Sequence, residues 1–494
     1  MNSDRSDAGR PRFVEITTNL RLFEDDGAGQ RIVGGPPRYQ YRTDRPVRYV
    51  AVANTENALV GYLWFNDEDD AAGWLPLRST GTLGGEWRER LHAGKARGYA
   101  PSQTVTELIQ LWPSSTYTHI VQGSLAEART QRALRESAGY FNTDRVRRAA
   151  DGSLFGLAIG DAMGYPTEFL DMRQIAAEFG PWEEMGLPLS AGDVVRVTDD
   201  TQLALSVGEA LAELGAGATG PREAAAALTP YGVEAALRKH FVGWLHDPDN
   251  NRAPGHTCLR ACANLERGMR WQDATVINSK GCGANMRVTP VALVPALSAD
   301  QRAGIAQLQA ALTHGHPTAL AASDLTCHAT WLLAHRCPLD ELLPELRAYA
   351  RKSRNTYHGD WLGDLAAKAG APDPASFIAF GWDECLRALD TAAEALRVKD
   401  LERDPCEAVG ASWVAEEALA TAVYCLLVVK HDGYPRSVVQ RASHSSGDSD
   451  SVAALAGAFA GAHRGYTSWP PEWRAALEYQ SRITTLSTTW DAVD

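Results

Sequence analysis

The chain reads as an all-α domain preceded by a small α+β domain, and three observations carry that reading. Beyond about residue 145, alanine-rich segments recur with the apolar spacing of helices, and convincing strands are absent. Before that point, short runs of β-formers are separated by turn residues. At 494 residues the chain exceeds one average core, so two or three domains are expected.

In order, residues 1–12 (MNSDRSDAGRPR) read as a disordered tail, and residues 13–139 as the α+β domain. FVEIT (13–17) is an expected strand. RYVAVA (48–53) and ALVGYLWF (58–65), joined across the turn-forming NTEN, predict a hairpin. An acidic loop, NDEDD (66–70), follows. EWRERLHAGKARG (86–98) predicts a helix, TVTELIQLW (104–112) fits helix or strand, and GSLAEARTQRALRESAG (123–139) predicts a helix. Residues 146–480 form the expected helical domain of roughly a dozen helices. Its segments include RRAADGSLFGLAIGDAM, TQLALSVGEALAELGAG, DLTCHATWLLAHRC and WVAEEALATAVYCLLVVK, with glycines and prolines between them as terminators. Gly156, Gly160, Ala456, Gly457 and Ala460 are small enough to permit close helix–helix contact.

Composition narrows the function classes. Hydrophobic content of 45% with 22% charged residues suits a globular core. A net charge of −13 argues against a sequence-independent grip on nucleic acid, which needs clustered Lys and Arg. All eight cysteines lie in the second half without a CxxC pair, so reduced thiols are expected rather than a disulfide framework or zinc ribbon. The polar N-terminus lacks a secretory core, and no run approaches the roughly 18 apolar residues of a membrane span. A soluble, cytoplasmic protein without a membrane partner is expected.

Two oxygen-rich knots dominate the chemistry. TDDTQ places Thr198, Asp199, Asp200 and Thr201 before an apolar helix. One Asp or Thr suffices to cap a helix, and adjacent carboxylates repel unless a cation sits between them, so capping and metal binding both stand. GDSDS places Asp448, Asp450 and Ser451 at the start of a small-residue helix. It resembles the opening of a calcium loop, but the glycine and glutamate spacing of an EF-hand does not follow. Oxygen donors of this kind suit hard divalent cations.

Three weaker strings accompany them. GLAIGDAMGYPTEF (156–169) has Gly160, Asp161 and Gly164 as expected helix breakers. Its Glu168 is either a solvated side chain or a carboxylate that orients water. SKGCGANMRVTPVAL (279–293) is a plain turn or a glycine loop offering N–H groups to a phosphate. His314 and His316, two apart with no obvious third histidine, fit loop or cap positions.

In this order, from about residue 148 to 466, GDAMGYPTEF, TDDTQ, GCGANMRVTP, THGHP, WVAEEALATAVYC and GDSDSVAALAGAFAGA resemble the ADP-ribosylglycohydrolase family. That family includes ADP-ribosylarginine hydrolases and dinitrogenase-reductase-activating glycohydrolases. The resemblance implies an all-α fold around two Mg²⁺ or Mn²⁺ ions and an enzyme that removes ADP-ribose from a modified protein, with arginine as the expected acceptor. It further implies metal ligation by Thr198, Asp199, Asp200, Asp448, Asp450 and Ser451, the last standing where Thr is common. Catalytic roles fall on Glu168, Asp199 and Asp448, with Glu168 orienting or deprotonating a water. ADP-ribose contacts fall on Gly281, Gly283, Ala284, Asn285, Met286 and His314, while Cys282 replaces a common Asn. Residues 13–139 match none of these motifs. By analogy with bacterial members that guard against ADP-ribosyltransferase toxins, they are an expected partner-binding or immunity module. Tyr62, Trp64, Phe65 and the NDEDD loop are the candidate contacts, against a reading of the aromatics as core. The competing reading is a protein that occludes such a toxin, with hydrolysis secondary.

Overall fold

The computed structural model describes residues 37–54, 59–76, 85–111 and 143–491, apart from 42, 44, 188, 190–193, 399 and 430–433. It also describes the short stretches 23–25, 30–32, 118–120 and 129–130. The chain divides into two compact units, Met1–Phe141 and Asn142–Asp494. The expected tail and the strand expected at 13–17 lie outside the described residues.

In the first unit, β1 (Phe23–Asp25) pairs with β2 (Gln30–Ile32). A separate antiparallel sheet contains β3 (Pro46–Asn54), β4 (Leu59–Asn66), β5 (Ala71–Pro76), β6 (Thr118–Ile120) and β7 (Arg129–Thr130). Its order is β5-β4-β3-β6, with β7 against the other end of β3. The expected hairpin is β3–β4, with Val50 opposite Leu63. The sheet also has a strand, β5, that the sequence reading passed over.

Alternation along the strands produces two cores. Val50, Val52, Leu63, Phe65 and Trp74 face helices Gly85–Ala96 and Pro101–Leu111 on one side; Val47, Tyr62, Trp64 and Leu75 cluster on the other. Tyr62, Trp64 and Phe65 are thus buried core residues. The ambiguous 104–112 segment is helical through Leu111. Within the segment expected as a helix over 123–139, Arg129–Thr130 is a strand against Pro46–Val47, and its flanks lie outside the described residues. The β3 edge offers unpaired backbone groups there, and pairing overrides local helix propensity. NDEDD is internally engaged: the Asp67 carboxylate accepts from the Ser102 amide at 2.8 Å, Lys95 pairs with Asp70, and Arg45 pairs with Glu68.

The second unit is helical, with thirteen helices of eight residues or more among the described residues. The last, Gln480–Asp491, runs beyond the expected boundary at residue 480. Helix Thr143–Gly164 continues through Gly160 and Asp161 instead of breaking there. Its glycines admit the backbone of helix Ser449–Arg464. A Cβ added at Gly160 would fall 1.9 Å from the Ala453 carbonyl oxygen; one at Gly156 would fall 2.2 Å from that of Gly457; and one at Gly461 would fall 1.9 Å from that of Gly152. Side chains on either helix at these points would separate the two.

All eight cysteines are free thiols, and seven are buried. Among the described residues no helix is long and apolar enough to cross a membrane.

The crossing predicts opposite outcomes for two glycine substitutions. Gly160→Ala overpacks a backbone contact and lowers unfolding free energy by ~1–3 kcal/mol. Gly243→Ala, in helix Pro230–Leu245 with open space around its Cβ, raises it by ~0.5–1 kcal/mol. Urea titrations of both variants measure the two signs.

Candidate functional site

The crossing delivers two loops to one place. Helix Thr143–Gly164 ends beside the start of the other helix, where a Cβ at Gly164 would lie 2.5 Å from the Asp450 Cα. The Thr167 hydroxyl donates to the Ser443 carbonyl at 2.7 Å and pairs with the Ser449 hydroxyl at 2.9 Å. It fixes the turn that carries Glu168 against the GDSDS loop. Gly447 adopts φ 88°, and its amide neighbour Asp448 donates to the Ala411 carbonyl at 3.1 Å. A Cβ at Gly447 would meet that same oxygen at 2.3 Å, so only glycine fits. The result is a trio: carboxylate oxygens of Glu168, Asp448 and Asp450 all lie within 4.8 Å of one another. Ser451 is buried beside them, its amide donating to Asp450 Oδ1 at 2.9 Å and its hydroxyl to Met286 Sδ at 3.8 Å.

The second knot is held by a residue the sequence reading took for a helix breaker. Asp161, fully buried, accepts from the Thr198 amide (3.0 and 3.1 Å), the Thr201 amide (3.1 Å) and the Thr201 hydroxyl (2.5 Å). It therefore anchors the start of helix Asp199–Gly215. The sequence signal was an aspartate inside an apolar helix, a place charged side chains seldom occupy unpaired. Thr198 caps that helix through the Asp200 amide, so the capping reading holds for its hydroxyl. Asp199 Oδ2 accepts from the Gly255 amide at 3.3 Å. Asp199 and Asp200 are buried and feel the Asp450 charge, but they stand outside the 4.8 Å trio.

Burial and mutual repulsion shape the charge state. Desolvation, then the Asp450 charge, pushes Asp161 up to about 7 and Asp199 to about 8, and drives Asp200 and Asp448 well above the usual carboxylate range. Glu168, half-buried, is raised by burial and then by Asp450, Asp448, Asp199 and Asp161. Glu168 Oε2 and Asp200 Oδ2 are buried without a hydrogen-bond partner. Such groups are costly to leave unmatched. A basin of carboxylates with orphan oxygens, to which no ammonium or guanidinium among the described residues is paired, fits hard divalent cations.

The GCGANM loop forms another wall. The Cys282 amide donates to the Trp413 carbonyl (3.1 Å), and the Ala415 amide to the Lys280 carbonyl (2.9 Å), fastening the loop to helix Ala415–Val428. Gly281 and Gly283 are half-buried, whereas Ala284, Asn285 and Met286 are buried. Asn285 Nδ2 donates to the Ala415 carbonyl at 3.1 Å while its Oδ1 is unpartnered. His314 is buried within the protein; its Nε2 lies 3.4 Å from where a Cβ on either Gly281 or Gly283 would stand. Burial and the nearby Arg287 push it down to about 3, keeping it neutral. Arg287 was given no role from sequence. It is fully buried over the Phe241 ring and donates to the Gln309 side chain (2.9 Å), the Gln309 carbonyl (2.7 Å) and Thr313 Oγ1 (2.8 Å). It supplies the site region with a fixed positive charge.

Comparison with protein families gives a match whose extent is that of the helical unit. The family model described as ADP-ribosylglycohydrolase matches residues 142–493. An ADP-ribosyl-[dinitrogen reductase] glycohydrolase of Rhodospirillum rubrum is 25% identical, over 67% of this chain and 91% of its own length. Uncharacterized proteins of Archaeoglobus fulgidus and Escherichia coli are 26% and 24% identical, covering 68% and 67% of this chain and 93% and 92% of their own. A solved structure titled ADP-ribosylglycohydrolase-related protein complex is 20% identical with a TM-score of 0.44, over 70% of this chain and 98% of its own. With the family model spanning well over half of its 494 residues, the chain belongs to the ADP-ribosylglycohydrolase family.

Proposed function

We propose that this chain is a cation-assisted hydrolase that releases ADP-ribose from a modified protein, with arginine as the acceptor. The observation that carries the reading is the convergence of Glu168, Asp448 and Asp450 within 4.8 Å in a basin that also holds Asp199 and Asp200. Thr198, Asp199 and Asp200 on one side, and Asp448, Asp450 and Ser451 on the other, would hold two Mg²⁺ or Mn²⁺ ions. When bound, such ions polarise ribose hydroxyls and acidify a coordinated water.

The chain's own groups do the rest. Glu168 stands at the half-exposed side of the trio, where it orients the attacking water and takes its proton. The water oxygen bonds to the anomeric ribose carbon as the bond to the acceptor nitrogen breaks, and the acceptor leaves with the proton that Glu168 took from the water. The surrounding carboxylates favour the positive charge that develops on the sugar. Gly281, Gly283, Ala284, Asn285 and Met286 line the loop assigned to ADP-ribose, with His314 behind it as a neutral support. The occlusion reading draws nothing from Tyr62, Trp64 and Phe65, which are buried.

Incubation with Mg²⁺ or Mn²⁺ and an ADP-ribosylarginine peptide is expected to release ADP-ribose, and Asp448→Ala to lower turnover by ~100-fold or more. Release from none of arginine, serine or nucleic-acid conjugates would refute the assignment.

The charge state supplies a second expectation. The folded carboxylates hold protons that the unfolded chain has already lost above about pH 4. Without cations, then, stability falls as pH rises from there through the folded values of about 7 for Asp161 and about 8 for Asp199. Cations replace those protons, so one fixed concentration of Mg²⁺ or Mn²⁺ raises Tm more at pH 8 than at pH 6, and at 100 times the pH 8 Kd it stabilises by ~2.7 kcal/mol per site. Thermal unfolding with and without EDTA at both pH values measures it; an equal shift at both would count against cation binding here.

A further inference from the structure

Immediately after Glu168, the chain does something costly. Thr167–Leu170 is a tight turn closed by the Leu170 amide on the Thr167 carbonyl at 3.0 Å. Glu168 sits at φ −53°, ψ 135° and Phe169 at φ 67°. That is the geometry of a type II turn, whose third position favours glycine. A phenylalanine there is strained, and the residue is 67% exposed, so burial gives little in return.

The ring instead stacks on Trp413, with centroids 5.3 Å apart and an interplanar angle of 20°. Trp413 is itself 42% exposed and follows Ser412, a second non-glycine residue at positive φ, 70°. Ser412 is locked by its amide donating to Glu417 Oε2 (3.1 Å) and its hydroxyl to the Gly410 carbonyl (2.9 Å). The Trp413 carbonyl accepts from the Cys282 amide, and Ala411, two residues earlier, accepts from Asp448. The pair therefore stands where the Glu168 turn, the GCGANM loop and the GDSDS loop meet; both residues are exposed, and Glu168 directly precedes Phe169 in the chain.

From this we infer that the Phe169–Trp413 stack is the platform for the guanidinium of the modified arginine, and so a determinant of acceptor specificity. The inference rests on the proposed hydrolase reading and deepens it. A guanidinium is planar, delocalised and weakly hydrated, so it lies well on an aromatic face. Glu168, one residue before Phe169, adds a nearby carboxylate, and the chain's net charge of −13 does not oppose a cation. A serine acceptor has neither plane nor charge and gains nothing from the stack. Held on the rings, the guanidinium would place its bond to the ribose next to Glu168.

The test uses the full chain with Mg²⁺, and the variants Phe169→Gly, Trp413→Leu and Trp413→Phe. KM and kcat are measured on ADP-ribosylarginine and ADP-ribosylserine peptides, Kd for free ADP-ribose by calorimetry, and stability by thermal unfolding. Phe169→Gly and Trp413→Leu are expected to raise KM on the arginine peptide by ~3–30-fold, with ADP-ribose affinity unchanged and Trp413→Phe near wild type. Phe169→Gly is expected to keep or raise Tm, because glycine relieves the turn; a purely structural phenylalanine would lose stability. Equal losses in ADP-ribose affinity would assign the stack to the nucleotide and overturn the proposal, as would unchanged KM. A wild-type protein that releases ADP-ribose from serine but not arginine overturns the arginine platform while leaving the hydrolase standing; one that releases it from neither removes the hydrolase reading itself.

Discussion

The site depends on a backbone-to-backbone contact between two helices far apart in sequence. Gly152, Gly156 and Gly160 on one face Gly461, Gly457 and Ala453 on the other, at separations that leave no room for a Cβ at any of these glycines. Helices normally meet through interdigitated side chains at 8–10 Å between axes. Removing those side chains lets the axes approach until the loop beyond Gly164 and the loop before Ser449 share space. Thr167 then fastens them, and Glu168 comes within reach of Asp448 and Asp450. Packing tolerance thus sets the geometry of the candidate site.

The carboxylates so gathered oppose folding in the absence of cations. The aspartates are buried and Glu168 half-buried, the Asp450 charge raises the others, and Glu168 and Asp200 retain orphan oxygens. The scaffold bears this through hydrogen bonds placed away from the basin's centre. Asp161 anchors Thr198 and Thr201, Gly255 donates to Asp199, and Arg287 sits buried behind the GCGANM loop. Phe169 and Ser412, two of the seven non-glycine residues at positive φ among the described residues, also lie in this region.

Much of the second unit was legible because its signals are local. Alanine-rich periodicity gives helices, and Thr198 before an apolar run gives a cap. Two carboxylates at i and i+2 in GDSDS gave a candidate ligand pair. The first unit was legible only in its hairpin and in the helix over 86–98. β5 is the short AAGWLP run directly after an acidic turn, and the segment around Arg129 joins a sheet edge that its own sequence does not specify. Asp161 was misjudged for a related reason. Flanking glycines read as breakers in one dimension, although in three they are a docking surface for a second helix.

The sequence by itself determined the helical class of the larger unit, the two oxygen-rich knots and the order of motifs that marks the family. Those properties follow from residue type and spacing along one chain. Tertiary structure alone decided that Glu168 joins Asp448 and Asp450 while Asp199 and Asp200 stand slightly apart, that Asp161 is an anchor, and that Phe169 meets Trp413. Each of the new contacts joins residues from tens to nearly three hundred positions apart. No local pattern encodes such a distance; it is set by how closely two helical backbones can pack.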